Sequence, residues 1–150
     1  MSANDHLEKS LPALRLAARS AVVAHQADIA GFVGPAFDSI ADVIGDNAGA
    51  LDTPVAVYDF AENGVRVTVG YVYDGDDRAG IEIVEVASSD RALCAVHHGP
   101  MDGITSSWRA LHEEITERGL KPAGPCREVY VRSYPQDQSD WITELQQPVE

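Results

Sequence analysis

An internal repeat constrains this chain more than any other feature of its sequence. Each half of the 150 residues shows a strand pattern, then a helix pattern, then two further strand patterns. Apolar and polar residues alternate over residues 14–23, which is typical of a half-buried strand. The strand patterns at residues 54–58 and 126–130 align with each other. Such repetition predicts one supersecondary unit used twice.

The other elements follow from periodicity and from turn residues. Apolar residues three and four apart predict helices over residues 28–44 and from about 102 to 118, each followed by glycine. The further predicted strands cover residues 55–60, 65–73, 81–87, 91–98, 126–133 and 141–147. We therefore predict an α+β fold in which two β-α-β-β units form one antiparallel sheet system with two helices. Because no linker separates the halves, we expect a single domain over residues 1–150.

The charge of the chain narrows the classes of partner. Eleven Lys and Arg against 24 Asp and Glu give a formal net charge of −13. Between Arg19 and Arg66 the sequence has seven acidic residues and no Lys or Arg. Surfaces that bind phosphates need clustered basic side chains, so we expect neither a nucleic-acid nor a membrane partner. Neutral or cationic small molecules suit this charge, and a protein partner stays open.

No targeting or redox feature points outside the cytoplasm. Residues 1–10 are polar and lack the apolar core of a secretory signal. No apolar run reaches the roughly 20 residues of a membrane-spanning helix. The two cysteines, Cys94 and Cys126, indicate no disulfide framework. We therefore predict a cytoplasmic protein with reduced thiols.

Motifs for metals and cofactors are weak or missing. The sequence has no phosphate-binding loop, no dinucleotide fingerprint and no serine-hydrolase elbow, so we expect no cofactor. Cys94, His97 and His98 have metal-ligating side chains, but a strand places Cys94 and His98 on one face and His97 on the other. With no fourth ligand nearby in sequence, we expect no metal site.

Glu128 is the residue that most strongly indicates a functional site. Alternation along its strand predicts that Val129 and Val131 share one face, which suits packing beneath a helix. Glu128 and Tyr130 then share the other face with Cys126. If that face were ordinary solvent-exposed surface, Tyr130 would be exposed as well.

The aligned strand in the first half favours a pocket over a solvent face. It places Ala56 and Tyr58 on the corresponding face, so a tyrosine recurs while the carboxylate does not. Two such strands would bring aromatic rings together around the single carboxylate of Glu128. A cation entering that site would offset the cost of a buried anion and would be attracted to the ring faces. A water molecule there would make the same carboxylate a candidate general base.

Five motifs in the second half occur in a characteristic order. They are VHHGPMD at residues 96–102, WRAL at 108–111, RGL at 118–120, PCREVY at 125–130 and WITELQQPV at 141–149. In this order they resemble the GyrI-like family, the effector-binding domain attached to many AraC- and MerR-type regulators. The first half fits less closely, and the likeness spans about residues 11–149, the part we expect to be structured.

The resemblance implies a duplicated β-α-β-β fold around a central apolar pocket. Glu128 matches the family's pocket glutamate, which meets cationic aromatic drugs in multidrug regulators. The resemblance places Tyr58, Tyr130 and Trp108 as aromatic walls. The expected ligand-binding set is completed by Phe37, Tyr71 and Leu111. Because no helix-turn-helix segment is visible, we expect a stand-alone member.

Stand-alone members of this family are similar to three kinds of protein. Our leading prediction is a domain that binds hydrophobic, aromatic or cationic small molecules. The alternative is a hydrolase of cyclopropane-bearing genotoxic natural products, in which Glu128 and Tyr130 would be the catalytic residues. The third is a module that binds a protein, as in the gyrase inhibitor for which the family is named.

Overall fold

The computed structural model describes most of the chain. The described residues are 6–25, 28–44, 54–61, 64–73, 75–76, 79–132 and 137–150. Contacts within the chain divide it into two compact units. Unit 1 comprises Met1–Pro12 with Ser88–Glu150, and unit 2 comprises Ala13–Ala87.

Eight strands and two helices make up the secondary structure of the described residues. In chain order they are β1 (Leu7–Leu11), β2 (Leu14–Val23), α1 (Ile29–Ile44), β3 (Pro54–Ala61), β4 (Gly64–Val72), β5 (Glu82–Val86), β6 (Ser89–His98), α2 (Ile104–Glu117), β7 (Cys126–Arg132) and β8 (Ile142–Pro148). Short 3-10 turns cover Met101–Gly103 and Gln138–Asp140. The predicted α+β class is confirmed.

Unit 1 is a four-stranded antiparallel sheet with α2 packed on one face. Its strand order is β1-β6-β8-β7. One row across the sheet pairs Glu128 with Leu145 and Leu145 with Ala95. The core between helix and sheet consists of Leu93, Ala95, Leu111, Ile115, Leu145 and Val149. Helix α2 therefore covers the face that carries Glu128.

The end of α2 shows why the helix stops where it does. Gly119 has a φ of +74°, which glycine adopts without steric cost. The N–H of Leu120 donates to the carbonyl of Ile115, and the N–H of Gly119 donates to that of Thr116. These two bonds form a Schellman motif and satisfy carbonyls that the helix leaves free. The predicted stop at Gly119 is confirmed.

Unit 2 has the strand order β3-β4-β2-β5, with each described pairing antiparallel. Its matching row pairs Ala56 with Val69 and Val69 with Arg19. Helix α1 packs on β2 and β4 and continues through Pro35. The glycine predicted to follow α1 lies outside the described residues.

Two strands depart from the sequence prediction. Residues 7–11 were not predicted as a strand, yet β1 pairs with β6 in unit 1. Residues 81–87 were assigned to the second half, yet β5 pairs with β2 in unit 2. Each unit thus takes an outer strand from the other half of the chain. The prediction missed β1 because it lies at the edge of its unit's strand order, where exposed and charged side chains such as Glu8 and Lys9 obscure the alternation.

The prediction for the two faces of β7 was partly wrong. Val131 is 63% exposed, and α2 packs on the opposite face, over Glu128. Alternation separates the two faces of a strand but does not say which one a helix covers. Here Leu145 and Ala95, the cross-strand neighbours of Glu128, supply the apolar surface that α2 buries.

No helix among the described residues is long and apolar enough to span a membrane.

Candidate functional site

Glu128 lies in β7 beneath α2 and is only 4% exposed. Its cross-strand neighbour Leu145 belongs to the apolar core. A carboxylate taken out of water at such a position needs hydrogen-bond donors to replace the water that it loses. The structure supplies donors from two separate elements.

Both carboxylate oxygens of Glu128 accept a hydrogen bond. The Tyr130 hydroxyl donates to Oε1 at 2.6 Å, and the Trp108 indole Nε1 donates to Oε2 at 2.7 Å. Tyr130 reaches Oε1 because residues two apart on a strand point to the same face. Trp108 lies on the core-facing side of α2, one turn before Leu111. Trp108 was predicted as an aromatic wall, but its role as a donor was not foreseen.

A polar row lies beside the carboxylate at one end of the site. It pairs His97 with Thr143 and Thr143 with Tyr130. His97 is buried, and its Nε2 donates to the Pro100 carbonyl at 2.9 Å. Its Nδ1 is then the acceptor for the Ser107 hydroxyl at 2.7 Å. This bond fixes the residue next to Trp108 to β6.

A second polar contact, between His112 and Gln147, lies beside the indole ring of Trp108. The His112 ring lies 5.8 Å from the Trp108 ring, tilted by 39°. Its Nε2 is 3.3 Å from Oε1 of the buried Gln147. The Gln147 amide nitrogen donates to the carbonyls of Pro148 and Gly124, so the amide oxygen accepts from His112. The i, i+4 spacing of Trp108 and His112 on a helix is the sequence signal for their contact, which was not predicted.

The other predicted ligand-binding residues lie in the core of unit 1 or within unit 2. Leu111 has no exposed surface and lies within the core of unit 1. Tyr58 is buried in β3 of unit 2. Phe37 and Tyr71 also belong to unit 2, where their rings meet edge to face at 5.3 Å. Within unit 1, Trp108 and Tyr130 are the predicted residues that contact Glu128 directly.

The structure does not bring the residues considered as metal ligands together. His97 faces α2, while Cys94 lies on the other face of the sheet and His98 is exposed. Burial raises the pKa of the Cys94 thiol to about 11, with the charge of Glu144 as a smaller cause. The thiol is therefore protonated at neutral pH, whereas a metal binds the thiolate. The described residues contain no cluster of three or more metal-ligating side chains.

Chemically, the site presents an anion held in place between an indole and a phenol. Buried charge in an apolar setting acts strongly on an opposite charge that approaches it. The two ring systems add attraction for a cation through their quadrupoles. The fold and this site define a duplicated α+β domain of the kind that binds small molecules.

Comparison with known families gives this class a name. The model of the GyrI-like small molecule binding domain matches residues 9–150, and the chain belongs to the GyrI-like family. The predicted family and the leading functional prediction, a small-molecule-binding domain, are confirmed. No curated protein shows a significant match to the chain.

Solved structures agree on the fold. The C-terminal domain of EcmrR is 21% identical, with 98% of each chain covered and a TM-score of 0.76. SAV2435 bound to tetraphenylphosphonium is 22% identical, with 97% and 94% covered and a TM-score of 0.71. A hydrolase encoded by lin2189 from Listeria innocua is 11% identical, with 97% and 91% covered and a TM-score of 0.60. At these identities the likeness concerns the fold alone.

Proposed function

We propose that the site around Glu128 binds bulky organic cations that carry aromatic groups. The observation that carries this proposal is the buried carboxylate whose two oxygens are held by Trp108 and Tyr130. A cation beside it offsets the cost of the buried negative charge. The flat rings offer contact area and a cation–π contribution of roughly 0.5–2 kcal/mol.

The hydrogen bonds to Glu128 also suggest which cations are preferred. Because each oxygen already accepts a strong bond from the protein, the carboxylate offers its charge more readily than its lone pairs. Quaternary ammonium and phosphonium ions have no N–H to donate and need only a counter-charge. They should bind more tightly than primary amines of similar size. A structural relative, SAV2435, was solved with tetraphenylphosphonium, which supports the same ligand class here.

A matched pair of probes tests this proposal. Methyltriphenylphosphonium is cationic, and triphenylphosphine oxide is neutral with a similar shape. We expect tryptophan quenching and calorimetry to show that Glu128→Gln weakens the cation roughly tenfold or more and the neutral probe little. Glu113→Gln, which removes an exposed carboxylate on α2, serves as the control and should change neither affinity. Equal losses for both probes would exclude the counter-charge role of Glu128.

A second candidate function, the hydrolase, draws on the short contact between Tyr130 and Glu128. The carboxylate would take a proton from a water molecule whose oxygen forms a bond to a cyclopropane carbon. The ring C–C bond would break and its electron pair would pass to the conjugated oxygen, while the Tyr130 O–H turns from Glu128 to donate to that oxygen. Incubation with a cyclopropane-bearing alkylator decides between the two candidates. More than one equivalent of water-opened product per protein, lost in Glu128→Gln and reduced in Tyr130→Phe, would support an enzyme. One equivalent or less would leave the binding function alone.

A further inference from the structure

Arg19 is a partly buried cation outside unit 1. It lies in β2 of unit 2, paired across the sheet with Val69. A Cβ atom built on Gly80 would lie 3.9 Å from Nη2 of Arg19 and 3.0 Å from Cγ2 of Val43, so these two side chains meet at Gly80. Since Val43 belongs to α1, Arg19 lies on the face of the sheet that the helix covers.

The guanidinium of Arg19 has an unsatisfied donor. Its Nε is buried, and the described part of the chain gives it no hydrogen-bond partner. Buried donors in folded proteins are nearly always paired, because an unpaired one loses its water without compensation. An acceptor brought by a ligand would remove that cost. A carboxylate fits best, since its two oxygens match the fork of a guanidinium.

An aromatic pair lies next to this cation. Tyr71 pairs with Ala17, which is two residues from Arg19 on the same strand face. Tyr71 and Arg19 are therefore diagonal neighbours on adjacent strands, with a backbone separation of roughly 7–8 Å. The Phe37 ring meets the Tyr71 ring edge to face. A ring bound against this pair would place a carboxylate substituent within reach of Arg19.

We propose that unit 2 binds an aromatic carboxylate, with its carboxylate on Arg19 and its ring against Phe37 and Tyr71. Burial raises the pKa of Tyr71, and the nearby charge of Asp38 raises it further, so Asp38 is close enough to set the orientation of a bound anion. An anionic ligand must turn its carboxylate away from Asp38, towards Arg19. The net charge of −13 opposes the approach of an anion, but salt at 0.15 M screens exposed charges beyond about 8 Å.

Calorimetry with three matched naphthalene probes at 0.15 M salt tests the inference. 2-Naphthoate should bind, while neutral 2-naphthamide and cationic 2-naphthylmethylammonium should bind unit 2 at least tenfold more weakly. Arg19→Gln should weaken 2-naphthoate roughly tenfold, the usual loss for a charge-assisted hydrogen bond. Arg66→Gln removes an exposed arginine from neighbouring β4 and should change nothing. Asp38→Asn should tighten 2-naphthoate.

A measurement on the unchanged protein keeps the test valid if Arg19→Gln does not fold. The arginine Nε–H resonances, assigned by nuclear magnetic resonance, should include one from Arg19 that shifts on adding 2-naphthoate and not on adding 2-naphthamide. Glu128→Gln should leave this response intact, which separates this site from the cation site in unit 1. No binding of 2-naphthoate at millimolar concentration, an unshifted Arg19 resonance or equal affinity for the amide would each overturn the proposal.

Discussion

The two units carry different side chains at equivalent positions of the same backbone fold. Position 128 in unit 1 holds glutamate and its aligned position 56 in unit 2 holds alanine. Trp108 is the fifth residue of α2, and the fifth residue of α1 is Val33. At these equivalent positions unit 2 therefore has neither the donor nor the acceptor of the bond between Trp108 and Glu128. Replacing both partners with apolar groups is nearly neutral for stability, whereas replacing one is not.

A second equivalent pair supports this comparison. Phe37 and His112 are each the ninth residue of their helix. Phe37 packs against Tyr71, and His112 bonds to Gln147. Each partner lies two residues beyond the middle residue of the matching row, which is Val69 in unit 2 and Leu145 in unit 1. The same contact is thus made by rings in unit 2 and by a hydrogen bond in unit 1. The shared backbone fold determines which positions are in contact, and the side chains at those positions determine the type of interaction.

Placing a carboxylate into unit 2 should have the largest effect on stability. Ala56 has no exposed surface and neighbours the equally buried Val69. Arg19, two strands away in the same row, could pair with a new carboxylate, so the test starts from Arg19→Gln. In that background we expect Ala56→Glu to lower the free energy of unfolding by about 3–5 kcal/mol, as an unpaired buried charge does. Adding Val33→Trp should recover part of that loss. Urea unfolding measures each variant, and tolerance of Ala56→Glu without Arg19 would show that unit 2 offers further donors, contrary to the comparison.

Replacing one aromatic residue on each helix should separate binding from packing. Trp108→Phe leaves the Oε2 of Glu128 without its indole donor, so we expect a loss of about 2 kcal/mol in stability and weaker binding of methyltriphenylphosphonium. Phe37→Leu removes one edge-to-face contact, which contributes about 1 kcal/mol. It should leave phosphonium binding unchanged. A loss of phosphonium binding in Phe37→Leu would mean that the cation does not depend on unit 1 alone.

An alkaline loss of stability should arise in unit 1, which holds both cysteines. Burial raises the pKa of Cys94 from 9.0 to about 11, so above pH 9 the unfolded chain loses this proton before the folded chain does. Stability then falls as pH rises from about 9 towards 11. At pH 10 the loss is about 1.4 kcal/mol. Cys94→Ala should lack this component, which is measured as the difference between the two proteins at pH 7 and pH 10.

Part of the site was predictable because its signals are local. Strand alternation alone put Glu128 and Tyr130 on one face, since residues two apart always share a face. The helical stripe put Trp108 on the inner side of α2 by the same kind of reasoning. What the sequence could not supply was the bond from Trp108 to Glu128, which depends on how far α2 lies along β7. The pairing of His112 with Gln147 was missed for the same reason.

The sequence by itself determined the duplicated α+β pattern, the end of α2 at Gly119 and the residue types at the site. These follow from periodicity and backbone preference, which act over a few neighbouring residues. Only the tertiary structure decided that β1 and β5 each join the unit formed mainly by the other half of the chain, that α2 covers the face of Glu128, and that no described residue pairs with the Nε of Arg19. Those outcomes depend on which surfaces meet across long stretches of chain, and local periodicity carries no information about that choice.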